Sequence, residues 1–407
     1  MTAPAPPRVV VVGRFPPPLD GQAVATARLA DLLADGRGGP FRVGRVDVGA
    51  PEGERLVTPG GGPGRAVHFL RLPARLRRAL AAWPDAPVVW PSISPSPLGH
   101  ARDLLTVAPA FRGRPVVAVV HRGDFERLFR SPLTAATGRA LVRRLRAVVF
   151  LTDGLAARCA PFVPAAKRWV VPNTVDDAAV PAPPEVAAAR AARAGRLATE
   201  RAAGAGGVRL LYLSGMIPSK GYGDVLEALA ALRGRGVEAT ATFAGRWPSA
   251  EAEAAFRARA AALGVDAAVR VLGGVSDRAA VRRLYLDADV FVLPTTYPVE
   301  AQPLTVIEAL AAGTPVVVTR WAGLPEMVDD GGEGAFVDAG APGQIADAAV
   351  RLAAPDAWRA ASTAARARFD RQFSPAVVGA QWRAHLGRVT GRPAPPAAEV
   401  QAEGGAA

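Results

Sequence analysis

The chain has 407 residues, half of them hydrophobic, which is material for two or three domains with full cores. Its formal net charge is +13, yet the arginines are scattered and only 6% of residues are aromatic, so the stacking platforms of a single-strand nucleic-acid binder are scarce. One cysteine, Cys159, excludes an internal disulfide, and four scattered histidines offer no zinc spacing.

The opening residues, Met-Thr-Ala-Pro-Ala-Pro-Pro, lack the basic-then-apolar order of an export signal, and the run Val9 to Val12 is far too short to span a bilayer. A cytoplasmic protein is expected. Arg8 to Val12 reads as a strand, followed by a loop ending in Asp20-Gly21-Gln22 and a helical pattern from Ala23 to Ala34. This is the first step of a doubly wound sheet, where ligands bind beyond the carboxyl ends of strands. The loop lacks Gly-x-Gly-x-x-Gly, which counts against an oxidoreductase.

Strands near Phe41 to Val48, Pro87 to Trp90 and Pro115 to Val120 alternate with a helix ending near Ala82 and another over Leu98 to Ala110, so the sheet is expected to be parallel. The basic runs Arg71 to Arg78 and Arg139 to Arg146 read either as amphipathic helices attracted to an anionic membrane or as solvated helix faces. His121-Arg122-Gly123-Asp124 follows the third of these strands. His121 there is a candidate for contacting a sugar or a reacting hydroxyl, the plainer reading being a structural histidine. Arg122 and Asp124 are candidates for acceptor contacts. Val148 to Leu151 and Arg168 to Val171 are further strands, with Thr152 placed to cap a helix.

From Asp177 to Gly207 the chain shows no strand pattern, and βα alternation then starts afresh, which marks a domain boundary. Strand Val208 to Leu213 leads into Ser214-Gly215-Met-Ile-Pro-Ser-Lys220-Gly221 and a helix over Val225 to Leu232. Lysine beside glycine at such a turn suits a diphosphate. Strand Ala239 to Ala244 ends in Gly245-Arg246, and strand Val269 to Leu272 precedes a helix that Ser276 is expected to cap. Asp287-Ala-Asp289 has the form of a metal-binding Asp-x-Asp, but it joins a helix end to a buried strand and reads as structural; no metal is expected.

The stretch from Phe291 to Met327 reads as strand, loop, helix, strand and a glycine-bearing loop, with Pro303 at the helix start and Gly313 closing it. Leu304, Thr305 and Glu308 share one helix face, and helical side chains lean toward the N-terminus, so the Glu308 carboxylate is expected to point at the unpaired amides of Leu304 and Thr305. Those amides suit a phosphate, and a carboxylate beside them suits a ribose diol. With Glu300 upstream to reach the other end of the same ligand, the pattern points to a sugar nucleotide.

These residues resemble the donor-site signature of the retaining GT-B glycosyltransferases called family 4, or glycosyl transferases group 1. The matching features are two glutamates separated by seven residues, Glu300 and Glu308, then a small-residue helix and Gly313-Thr-Pro-Val-Val-Val. Where that family usually has an aromatic-glycine pair, this chain has Gln302 and Pro303. Pro172-Asn173-Thr174-Val175-Asp176 is similar to the family's Pro-Asn-Gly-Val-Asp turn. The resemblance implies an α/β fold of two Rossmann-like domains facing across a cleft, with the C-terminal helix crossing back to the first. The expected divisions are an acceptor-binding domain over 1–176, a linker over 177–207, a donor-binding domain over 208–372, a crossover helix over 373–390 and a disordered tail over 391–407.

The resemblance also implies roles. Lys220, His121 and Glu300 are the expected catalytic residues; Glu308, Leu304, Thr305, Gly215, Arg246 and Gly21 would hold the donor, and Asp20, Arg122 and Asp124 the acceptor. The expected reaction moves a sugar, with retention and without metal or cofactor, from a UDP- or GDP-linked donor to a hydroxyl of a cell-envelope or secondary-metabolite acceptor. Contact with the inner face of the membrane is an accompanying expectation. The alternatives are a GT-B epimerase or phosphorylase, or a silent protein bound to membrane or nucleic acid.

Overall fold

A computed structural model describes residues 6–17, 21–34, 41–49, 63–202 and 207–391. Asp20 and the tail from Pro393 on lie outside them. Among the described residues, two parallel sheets of six strands account for the strand runs of the sequence. The first sheet holds β1 (Arg8–Gly13), β2 (Arg42–Asp47), β3 (Val88–Trp90), β4 (Val116–Val120), β5 (Ala147–Phe150) and β6 (Arg168–Val170), in the order β2-β1-β3-β4-β5-β6. The second holds β7 (Gly207–Leu213), β8 (Glu238–Ala244), β9 (Val269–Gly273), β10 (Val290–Leu293), β11 (Val316–Thr319) and β12 (Gly334–Val337), in the order β12-β11-β10-β7-β8-β9.

Central strands such as Val116–Val120 and Val290–Leu293 are buried at every position, which is why they read as unbroken apolar runs. The order of the second sheet reverses between β7 and β10. In a doubly wound sheet the crevice beyond the carboxyl ends of the strands at that reversal is where ligands bind. Lys220 follows β7 and Glu300 follows β10, so the two loops flank it.

Helices cover the sheets. The first domain carries α1 (Gly21–Leu33), α2 (Pro63–Ala81), α3 (Pro97–Arg102), α4 (Ala108–Ala110), α5 (Pro132–Arg144) and α6 (Asp153–Arg158), a π-helical turn over Asp103–Val107 joining α3 to α4. Thr152 caps α6 as expected, its hydroxyl accepting from the Leu155 amide. Beyond these come α7 (Pro183–Ala202), α8 (Tyr222–Gly234), α9 (Ala250–Ala262), α10 (Arg278–Asp287), α11 (Leu304–Ala312), α12 (Pro342–Ala353), α13 (Pro355–Arg368) and α14 (Pro375–Thr390).

Three details differ from the sequence reading. The stretch read as a patternless linker contains α7, a 20-residue helix. It is anchored to the second domain: Arg193 and Arg196 both donate to Asp289 at 2.5 Å, and Arg193 lies over the Trp358 ring. The cap of α10 is Asp277, whose carboxylate accepts from the Ala279 amide, and not Ser276, which is one position too early. Glu308 faces a different way from expectation, as described below. The expected crossover is present, since Val378, Trp382 and Leu386 of α14 pack with Val9, Val11, Leu29 and Leu33 of the first domain.

Candidate functional site

Lys220 ends a short 3-10 turn, Pro218–Lys220, and Gly221 follows at φ 82°. Only glycine serves there, because a Cβ would in addition meet the Pro294 carbonyl oxygen at 2.5 Å. The loops after β7 and β10 therefore touch: the Ser219 carbonyl accepts from the Thr296 amide at 2.7 Å, and Thr319 ties the Thr295 carbonyl from below at 2.5 Å. This brings Lys220 and Glu300 together as a short ion pair, both largely shielded from water, with the ammonium 4.6 Å from the centre of the Tyr297 ring.

Helix α11 starts beside them with Pro303 as N-cap and no side chain capping it. The helix dipole and the first amides, those of Leu304 and Thr305, are therefore left without a side-chain cap a few residues along the chain from the Glu300 that holds Lys220. Glu308 does not point at those amides. Its carboxylate, 4% exposed, accepts from Arg28 of α1 at 3.1 Å, from Arg278 of α10 at 2.6 Å and from the Tyr285 hydroxyl at 3.1 Å. Arg28 and Arg278 also flank Asp176, at 3.1 and 3.4 Å. Arg28, drawn out of water, needs a carboxylate, and that demand, with half-buried Arg278 beside it, outweighs the pull of two backbone amides. The burial and the charge of Glu308 push the Tyr285 hydroxyl well above its ordinary range, so it stays a donor.

The first domain supplies the opposite wall. His121 lies just beyond β4, its Nε2 shielded from solvent and without a hydrogen-bond partner among the described residues, and it lines a small cavity with Arg28, Asn173 and Trp382. Burial lowers its pKa from 6.5 to about 4, so it is neutral near pH 7. Two residues on, the Gly123 amide donates to the Val299 carbonyl at 3.2 Å, and a Cβ on Gly123 would meet the Glu300 carbonyl oxygen at 1.7 Å. Arg122 grips Asp124 through two hydrogen bonds of 2.9 and 2.8 Å, and Arg127 adds a third to the same carboxylate. Asp124 is thereby neutralised, and Arg122 is the more accessible of the pair.

Other candidates stand at the margins. Gly215 is exposed, and its carbonyl accepts from the Tyr212 hydroxyl at 3.1 Å. Arg246 is exposed beside Gly274, while its carbonyl accepts from the Met216 amide at 3.1 Å. Gly21 is the exposed first residue of α1. Asp289 is fully buried, held by Arg193, Arg196 and the Arg209 amide, so its carboxylate serves the fold. Arg28, Arg278 and Tyr285 escaped the sequence reading. For Arg28 a signal existed: it sits among Ala25, Leu29 and Leu32, on the apolar stripe of α1, where an arginine needs a buried partner.

Residues 207–354 match the family described as "Glycosyl transferases group 1". Among curated proteins, the GDP-mannose-dependent alpha-(1-6)-phosphatidylinositol dimannoside mannosyltransferase of Mycobacterium tuberculosis (strain ATCC 25177 / H37Ra) is 38% identical over 103 residues, 25% of this chain and 25% of that protein. The D-inositol 3-phosphate glycosyltransferase of Corynebacterium jeikeium (strain K411) is 39% identical over 99 residues, 24% of this chain and 23% of that protein. The chain thus spans about a quarter of the length of these curated relatives. The crystal structure of Anabaena Alr3699/HepE in complex with UDP and glucose superposes with a TM-score of 0.68 at 17% identity, over 94% of this chain and 99% of that one. Sucrose-phosphate synthase from Thermosynechococcus elongatus gives 0.68 at 18% identity, over 94% and 98%. Both likenesses show a shared two-domain fold.

Proposed function

We propose that the chain is a retaining, metal-independent glycosyltransferase that moves a sugar from a UDP- or GDP-linked donor to an acceptor hydroxyl, a reading supported by the match of residues 207–354 to the group 1 glycosyl transferases. The observation that carries this reading is the meeting of Lys220, Glu300 and the open N-terminus of α11 at the reversal point of the second sheet.

The chemistry follows from those groups. A nucleoside diphosphate leaving a sugar gathers negative charge on its distal phosphate, and a lysine with a helix N-terminus stabilises that charge without reorganising. Before the donor arrives, Glu300 neutralises Lys220. A diphosphate competes for the ammonium and frees the Glu300 carboxylate to accept from sugar hydroxyls. Glu308 has about four acceptor sites, and the three protein donors leave one on Oε2 for a ribose hydroxyl. The bond from the anomeric carbon to the phosphate oxygen breaks as the acceptor oxygen bonds to the same face, and the departing phosphate takes the acceptor's proton. Neutral His121 and Arg122 belong on the acceptor side, with Gly215, Arg246 and Gly21 around the donor. Asp289 has no free carboxylate edge for a metal, which is why the reaction is assigned to charged side chains and the helix.

We further assign the acceptor to the lipid-linked or cell-envelope class and place the enzyme on an anionic membrane face. Among the described residues no helix is long and apolar enough to cross a membrane. Yet Leu70 of α2, Leu98 of α3, Leu105 of the π turn and Leu133 of α5 stand out in solvent on neighbouring elements of the first domain. Exposed arginines 71, 77, 78, 139, 143 and 144 accompany them.

The test is thermal unfolding with UDP, GDP and their sugar conjugates in the presence of EDTA. One nucleoside diphosphate should raise the midpoint, and Lys220→Ala should lower turnover by about a hundredfold or more while leaving the fold intact. A folded protein that responds to none of them, or a Lys220→Ala enzyme with normal turnover, overturns the proposal.

A further inference from the structure

The Gln302 side chain, in the loop between Glu300 and helix α11, is 6% exposed and makes all its hydrogen bonds to the other domain. Its Oε1 accepts from the Asn173 amide at 2.6 Å and its Nε2 donates to the Leu151 carbonyl at 3.1 Å. The Asn173 side chain returns a third bond, Nδ2 to the Gln302 carbonyl, at 3.2 Å. Leu151 and Asn173 lie just beyond β5 and β6, so one side-chain amide reads the carboxyl ends of two first-domain strands. A hydrophobic residue in its place would leave a buried amide N–H and a buried carbonyl without partners. A glutamate would set a second acceptor against the Leu151 carbonyl.

Another contact holds the Gln302 loop, and a further one joins the domains at the turn after β11. The Gly123 amide binds the Val299 carbonyl from the first domain. Close by, the Glu326 carboxylate of the second domain accepts from the Asp153 and Gly154 amides, at 2.6 and 2.8 Å, at the N-terminus of α6. That loop carries Glu300 on one side of Gln302 and leads into the first amides of α11 on the other.

We propose that Gln302 is a positioning residue: paired with Asn173, it latches the donor loop of the second domain onto the first, so that Glu300 and the start of α11 are aligned only while the two domains are closed. The kinetic half of this inference rests on the glycosyltransferase reading; the conformational half does not.

Gln302→Leu and Asn173→Ala, singly and together, test it. In ligand-free protein, small-angle scattering should give a larger radius of gyration for each variant than for the unaltered chain. Turnover should fall about tenfold while the donor KM moves less than about twofold, and the double variant should be no worse than the poorer single one, since both remove one latch. If Gln302→Leu fails to fold, Asn173→Ala carries the test; if neither folds, the pair is a folding element and the latch is overturned. Unchanged dimensions and turnover also overturn it, as does loss of the nucleotide-induced thermal shift, which would make Gln302 part of the donor pocket itself. Should the unaltered chain bind no nucleotide and turn nothing over, the glycosyltransferase reading fails while the scattering still decides the latch.

Discussion

Lys220 and Glu300 could be found in the sequence because each follows a recognisable strand and sits next to helix-start chemistry. Glu308 was visible as a residue but not as a conformation. Its helix face predicted amide partners, whereas buried Arg28, 280 residues away, and half-buried Arg278 claim the carboxylate. His121 supports a prediction at this scale. Folded His121 binds a proton only below about pH 4, while the unfolded chain binds one below about 6.5. Between those values the unfolded state holds more protons, so stability is constant above about pH 6.5 and declines as pH falls toward 4. Asp103, raised to about 6 by burial, works in the opposite direction over part of the window, and buried His100 and half-buried His385 work in the same direction as His121. Because all three persist in a His121→Gln variant, the difference between the two proteins isolates His121. Urea titrations at pH 7 and pH 5 should show a smaller loss of stability in His121→Gln. Equal losses would mean that His121 is solvated in the folded protein.

At the scale of elements, strands were legible because burial on both faces writes itself as unbroken valine runs. Helix α7 was not, since Ala, Arg and Gly give no contrast between a dry and a wet face when the dry face itself carries arginine. Arg193 and Arg196 are held by Asp289 on the loop entering β10, roughly a hundred residues on, and periodicity is blind to that partner. The arrangement makes Asp289 a keystone for α7. Replacing it with alanine leaves the buried Arg193 guanidinium without a carboxylate and Arg196 with Glu200 alone, and should cost about 3–5 kcal/mol in urea unfolding. A loss below about 1 kcal/mol would show that α7 is held by its apolar contacts alone.

For the whole molecule, alternation of strand and helix was enough to give two parallel sheets, but not how they face each other. The bonds that join the domains link residues such as Asn173 and Gln302, 129 positions apart, and no local pattern encodes that pairing. The arginine-bordered leucines of the first domain belong to this scale as well. Phosphatidylcholine vesicles containing phosphatidylglycerol should pull the protein down on centrifugation, pure phosphatidylcholine should not, and Leu98→Glu with Leu133→Glu should abolish the effect. Absence of binding at low salt would return the arginines to the role of a solvated surface.

The packing of α14 bears on how the protein is made. Val378, Trp382 and Leu386 complete an apolar cluster begun by Val9 and Val11 of β1 and Leu29 and Leu33 of α1. On a ribosome the first domain is therefore spelled out early and completed late, its cluster lacking the α14 side chains while the second domain is being translated. The nascent protein carries that part of the cluster open until α14 emerges, so the first domain is finished by a helix written after the second.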